Sequence, residues 1–223
     1  MTENESAGEL RICLSLHIKD TFYSEKQIID SLPKIIQLVD KKSINLRVTD
    51  GFVSIRYDGE ELLGEKYWDD VHLVLNDIFY GLRELADGKV IRRPLPMQSV
   101  TLMLSLVGNF VRYELQPSSK RRENHNEESI VYMIPKKRFM RAFIFCYLRS
   151  VKIFEAIGKN ARTLDEFAAD DDTEDVIIGH NFKHVFANWQ SYIPPNSLSN
   201  EDMDTIGHLM ESSVDEWVAR DGC

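Results

Sequence analysis

The residues of this chain best suited to chemistry are His180 and His184, which stand four apart in Gly179-His180-Asn181-Phe182-Lys183-His184. On a helix both imidazoles would face one side, as two ligands of a single metal ion must. A zinc-protease helix carries a Glu directly after its first histidine; here that position is Asn181. A third ligand would have to come from Asp172 or Asp175. With two ligands at usable spacing, no tightly held zinc is expected and no metal site is assigned. A second group, Asp69, Asp70 and His72, sits where a helix should begin, and carboxylates there complement the positive end of the helix dipole without any catalytic role. The third group is the run Asp170-Asp171-Asp172-Thr173-Glu174-Asp175. It lacks the Gly at position six and the Glu at position twelve of a calcium loop, so it reads as a solvated linker, a helix start or an interaction surface. The phosphate loop, the dinucleotide Gly-rich turn, Gly-x-Ser-x-Gly and Cys-x-x-Cys do not occur, and no cofactor is implied.

Cations gather between residues 118 and 152, where Lys120, Arg121, Arg122, Lys136, Lys137, Arg138, Arg141, Arg149 and Lys152 fall. Lys136 to Arg141 open a helical pattern, and cations at a helix start oppose the dipole. Two explanations remain: pairing with the acidic C-terminal part of the same molecule, which is preferred, or holding phosphate. Cys13, Cys146 and Cys223 are odd in number and far apart. They read as reduced thiols, with Cys13 and Cys146 as small apolar fillers.

The charge is unevenly distributed. Residues 164–223 hold 14 Asp and Glu against Lys183 and Arg220, a net of −12, whereas residues 1–163 carry +3; the whole chain carries −9. A pI near 5.2 argues against a nucleic-acid binder and against electrostatic docking to anionic membranes. The longest apolar stretch, Phe139 to Ile157, is interrupted by Arg141, Arg149, Lys152 and Glu155, which suits a buried helix better than a membrane span. Met1 to Glu9 is polar and acidic with no apolar core of the kind a secretory leader has. A cytoplasmic location is therefore expected.

The elements that must position these groups are legible from periodicity. Leu10, Ile12, Leu14, Leu16 and Ile18 alternate with polar residues as a first strand. Ser24 with Gln27 forms a capping box for a helix whose apolar stripe is Ile28, Leu32, Ile35, Ile36 and Val39, with Pro33 set to kink or divide it. Asp50-Gly51 is the pair that a two-residue type I′ turn requires; closing there would set Val48 opposite Val53, Leu46 opposite Ile55 and Ile44 opposite Tyr57. A second helix spans about Tyr67 to Ala86, with Trp68, Val71, Leu75, Ile78, Leu82 and Leu85 on one face and Gly88 as its stop. Gly108-Asn109 closes a second hairpin with Leu106 opposite Val111, Leu104 opposite Tyr113 and Leu102 opposite Leu115. Pro117 to Glu128 is a loop, Ile130 to Ile134 a strand, and Pro135 opens a third, deeply packed helix. Met203, Ile206, Met210, Val214 and Trp217 make the stripe of a last helix capped near Ser199 or Asn200. The expectation is an α+β fold: a mostly antiparallel sheet built from hairpins, helices packed on it, and a helical C-terminal region. Residues 1–8 would be a flexible terminus and residues 9–223 one domain, with 164–223 an acidic helical subregion.

This plan resembles the immunity proteins that bacteria pair with polymorphic or contact-delivered toxins. The features that carry it are the alternating strand Leu10 to Ile18, the hairpins at Asp50-Gly51 and Gly108-Asn109, the aromatic-led helix at Tyr67-Trp68, and the acidic C-terminal region. The resemblance implies one-to-one neutralisation of a cognate protein toxin and assigns no role to individual residues. The physics of the acidic part is compatible: a nuclease must present cations to phosphate, and clustered carboxylates can steer association with such a cleft and block it. Asp170, Asp171, Asp172, Glu174 and Asp175 would supply the charge. Trp189, Tyr192 and Trp217 would supply the anchors, or ordinary core for at least one of them. Two alternatives stand beside it: a small metal-dependent hydrolase using His180 and His184, and a regulatory or scaffold subunit.

Overall fold

The computed structural model describes residues 9–38, 50–95, 98–118, 128–159 and 188–221. The fold is α+β, with its strands in two antiparallel sheets rather than one. The first sheet has the order β2-β1-β3-β4, where β1 is Leu10–Ile18, β2 Thr21–Ser24, β3 Asp50–Tyr57 and β4 Glu60–Leu63; a short β5, Asp69–Asp70, also pairs with β3. The second sheet has the order β6-β7-β8-β9, made of Ile91–Leu95, Val100–Val107, Phe110–Pro117 and Ile130–Pro135.

The turn at Gly108-Asn109 and its register are as the alternation requires: Leu106 faces Val111, Leu104 faces Tyr113 and Leu102 faces Leu115. Gly108 takes φ +59°, the left-handed value that costs a glycine least. The expectation at Asp50-Gly51 is overturned. These residues are the first two of β3, where Asp50 pairs with Asp70 and Gly51 with both Asp69 and Leu16. A Cβ on Gly51 would stand 2.1 Å from the Ser15 carbonyl oxygen, so glycine is needed there for close backbone approach and not for a turn. Val53, Ile55 and Tyr57 do share a face, but their partners are Leu14, Ile12 and Leu10 of β1; Ile44, Leu46 and Val48 lie outside the described residues. Among the described residues the turns with two left-handed residues are Lys19-Asp20 (φ 45° and 64°) and Asp58-Gly59 (φ 52° and 83°), the type I′ signature.

Helix α1, Glu25–Asp30, starts at the expected capping box on Ser24 and Gln27, and α2, Leu32–Leu38, resumes one residue later with Pro33 in its first turn, where a missing N–H is harmless. Helix α3, Val71–Ala86, is stopped by Gly88 at φ +86°. It begins later than the stripe implied: Glu65–Tyr67 form a 3₁₀ turn, Trp68 precedes the helix, and Asp69 and Asp70 belong to β5. Helix α4, Lys136–Lys159, is the deep one, with Phe139, Met140 and the unbroken run from Phe143 to Val151 buried. It packs on β1 of the first sheet and on β8 and β9 of the second. The last stripe is divided between α5, Asn200–Glu211, and α6, Val214–Asp221, by a break at Ser212. Residues 119–127 of the loop after β8, and residues 1–8, lie outside the described residues. Cys146 is a free buried thiol, whereas Cys13 is disulfide-bonded, which overturns the expectation of a reduced thiol at that position. Among the described residues no helix is long and apolar enough to cross a membrane.

One buried ion pair joins these layers. In the β1–β2 hairpin Ile18 faces Thr21 and Leu16 faces Tyr23; across a two-residue turn these are the hydrogen-bonded positions. The next groups on that edge of β1 are the Leu14 N–H and the Ile12 carbonyl, but the chain turns away into α1 after Ser24. Side chains take over the missing strand's role. Glu25 Oε1 accepts the Leu14 N–H at 2.7 Å, and Arg149 Nη2 donates to the Ile12 carbonyl at 3.0 Å. Arg149 and Glu25 are themselves doubly bonded, Nε to Oε2 and Nη2 to Oε1, with both side chains out of solvent.

Candidate partner-binding surface

The structure separates the sequence-derived candidates into three groups. Asp170, Asp171, Asp172, Glu174 and Asp175, together with His180 and His184, lie outside the described residues. Trp217 lies wholly in the core: it is 0% exposed, its indole Nε1 donates to the Leu209 carbonyl at 2.6 Å, and its ring meets Phe145. Trp189 is also buried, in the short helical segment 188–192. Tyr192, at the end of that segment, stays half-exposed.

Tyr192 sits on an aromatic stack that runs inward. Its ring lies 5.1 Å from Tyr80 and 5.9 Å from Phe79 of α3. Phe79 stacks on Tyr147 of α4 with centroids 3.9 Å apart, and the Tyr147 hydroxyl donates to Asn76 Oδ1 at 2.7 Å. Three side chains from two helices, Phe79 and Asn76 of α3 and Tyr147 of α4, thus lie beneath Tyr192 and Tyr80. Burial pushes the hydroxyls of Tyr147 and Tyr80 above the usual tyrosine range, so both remain protonated donors across ordinary pH. Tyr80 is exposed, and the α3 surface beside it carries Asp77, paired with Arg93, and Glu84, whose carboxylate lies 3.2 Å from Lys89. Sequence reasoning missed Tyr80 and Asn76. Both fall off the apolar stripe of α3, and an aromatic residue on the polar side of an amphipathic helix was the available signal.

Helices α5 and α6 follow Tyr192 in the chain and expose Glu201, Asp204, Glu211, Asp215 and Glu216. Their placement explains part of the basic group on α4. Ser199 caps α5 in a box with Asp202, and Arg141 Nε meets Asp202 Oδ1 at 2.7 Å. Burial raises the Asp202 carboxyl's pKa, but hydrogen bonds from Arg141 and Ser199 outweigh it and hold the group below its ordinary value. At the other end of α5, Lys152 Nζ donates to the Met210 and Ser212 carbonyls at 2.6 and 3.3 Å, a cation at the negative end of the helix. Two cations of α4 therefore hold both ends of α5. The preferred pairing with the acidic C-terminal part is realised at Arg141, whereas Arg149 pairs with Glu25 of α1 instead. Among the described residues, no three His, Cys, Asp or Glu side chains are grouped to hold a metal ion. Burial pushes the Cys146 thiol up to about 12, far from the depressed value a nucleophilic cysteine needs. Comparison with protein-family models, with curated proteins and with solved structures finds no match.

Proposed function

We propose that this chain is a binding protein that neutralises a cognate protein toxin by covering its working surface. The observation that carries the reading is the pair Tyr80–Tyr192, an aromatic surface element held from beneath by Phe79, Tyr147 and Asn76. Aromatic anchors of this kind dominate protein interfaces, and an anchor already fixed in the free protein loses little entropy on binding. The acidic residues exposed on α5 and α6, with the −12 balance of residues 164–223, add long-range attraction for a basic partner. A nuclease is such a partner, because its substrate cleft must be cationic.

The experiment is co-expression of this chain with the product of the reading frame beside its gene. Arrest of growth by that product alone, relief by the wild-type chain, and loss of relief in a folded Tyr80→Ala/Tyr192→Ala variant are the expected results. A neighbour that is harmless, or relief that is unaffected by the double variant, refutes the proposal.

A further inference from the structure

Among the described residues the outer edge of β9 is open. Across the two-residue turn Val107 faces Phe110, which makes Phe110, Arg112 and Glu114 the positions bonded toward β7 and leaves Val111, Tyr113 and Leu115 bonded toward β9. Their partners on β9 are Ile134, Tyr132 and Ile130. The N–H and C=O groups of Val131 and Met133 therefore point away from the sheet, and among the described residues no strand pairs with them. Edge strands of stable proteins are commonly blunted by a charged residue, a bulge or an internal proline. The run Ile130-Val131-Tyr132-Met133-Ile134 has none of these. Its side chains are exposed as well: Val131 is 43% and Met133 39% accessible, on the same face as exposed Phe110 and Val107.

We infer that this edge pairs with β9 of a second copy of the chain, joining the two four-stranded sheets into one antiparallel sheet across a two-fold axis at Tyr132. The strand is self-complementary about that axis. Val131 of one copy stands opposite Met133 of the other and Met133 opposite Val131, which is the reciprocity an isologous contact requires. Only these two residues have free edge groups in the middle of the strand, and in this register each exchanges both N–H and C=O with its counterpart. Ile130 stands opposite Ile134, so apolar residues meet apolar residues throughout. The same register sets Glu128, exposed just before β9, opposite Lys136, the first residue of α4, once on each side of the axis. Two chains of net charge −9 thus meet along a strand without carboxylates and between two pairs of opposite charges. This face is separate from Tyr80 and Tyr192 and does not depend on what they bind.

The test is sedimentation of the full chain over a wide concentration range, with hydrogen exchange measured on the same samples. A monomer–dimer equilibrium is expected, with the Val131 and Met133 amides gaining protection as the dimer forms. Val131→Lys/Met133→Lys places lysine opposite lysine and should weaken the dimer by about tenfold or more. Val131→Glu/Met133→Lys places glutamate opposite lysine on both sides of the axis and should restore it. Both variants change only exposed side chains, and unchanged melting curves would verify their folding. A chain that stays monomeric at all concentrations overturns the inference, as does a dimer whose Val131 and Met133 amides stay unprotected. Failure of the glutamate–lysine variant to recover the dimer would show that the strand's occupant is not its own copy.

Discussion

Replacing Glu25 with Gln separates the charge of the buried pair from its shape. In the wild type, the Glu25 carboxylate neutralises Arg149 and accepts the Leu14 N–H. Gln can still accept from Leu14, but its amide donors face a guanidinium that has only donors, and Arg149 loses the carboxylate to which it is doubly bonded. Breaking a buried pair from one side costs about 3–5 kcal/mol. Against a total stability of about 5–15 kcal/mol, that is a large share of the fold. For a chain of this size each kcal/mol moves the melting temperature by about 2–4 °C, so a fall of roughly 6–20 °C is expected. Arg149→Met should be comparably harmful, because the buried Glu25 carboxylate then loses both guanidinium hydrogen bonds. Glu25→Leu/Arg149→Met should cost less than the two single losses combined, although the Leu14 N–H and the Ile12 carbonyl lose these side-chain bonds. Urea denaturation of the four proteins measures this. A Glu25→Gln variant within about 0.5 kcal/mol of wild type, the range of an ordinary surface change, would refute the claim that the pair substitutes for a strand.

Leu104, wholly buried between β6 and β8, should cost about 2–5 kcal/mol on truncation to Ala in the same denaturation assay. Asp202 has a lowered carboxyl pKa in the folded state, so its stabilising contribution is present above the unfolded value of about 3.9 and is lost as pH falls through the lower folded value. Asp202→Asn should therefore be less stable than wild type near neutrality, and the gap should close in melting curves taken progressively below about pH 4. Cys146, with its thiol pushed up to about 12 and fully buried, should resist iodoacetamide in the native protein and react once the chain is unfolded; rapid native labelling, read by mass spectrometry, would contradict its burial.

The parts of this fold that were legible in the sequence are the local ones. The β7–β8 register follows from alternation around a two-residue turn, the Ser24 cap from Gln27 three residues on, and the start of α5 from the cap candidates Ser199 and Asn200, so each signal lies within one element or one turn. The pairing of β1 with β3 joins Leu10 to Tyr57, and nothing near either residue specifies it. The chain contains Asp50-Gly51 and Asp58-Gly59, and the two read alike; which one turns is decided by a strand some forty residues away. β6 was hidden because Ile91-Arg92-Arg93-Pro94-Leu95 lacks a clean alternation, and its Pro94 is tolerated only because β6 is an edge strand. Of the three aromatic residues proposed as anchors, periodicity correctly placed Trp217 on an apolar stripe, yet the depth of that stripe depended on α4. Tyr80 and Tyr192 come together only because α3, α4 and the 188–192 segment converge, a contact with no trace in local sequence.

The Glu25–Arg149 plug also sets an order of events. Its partners are 124 residues apart in the chain, so during synthesis at about 5–20 residues per second the edge of β1 waits on the order of ten seconds for the arginine that will close it. Throughout that interval the nascent chain carries Glu25 without Arg149 and an unclosed strand edge, a state in which neighbouring chains on one messenger can recruit each other. Slow translation between residues 25 and 149 should therefore lower the yield of native protein in a way that no property of the finished molecule would reveal.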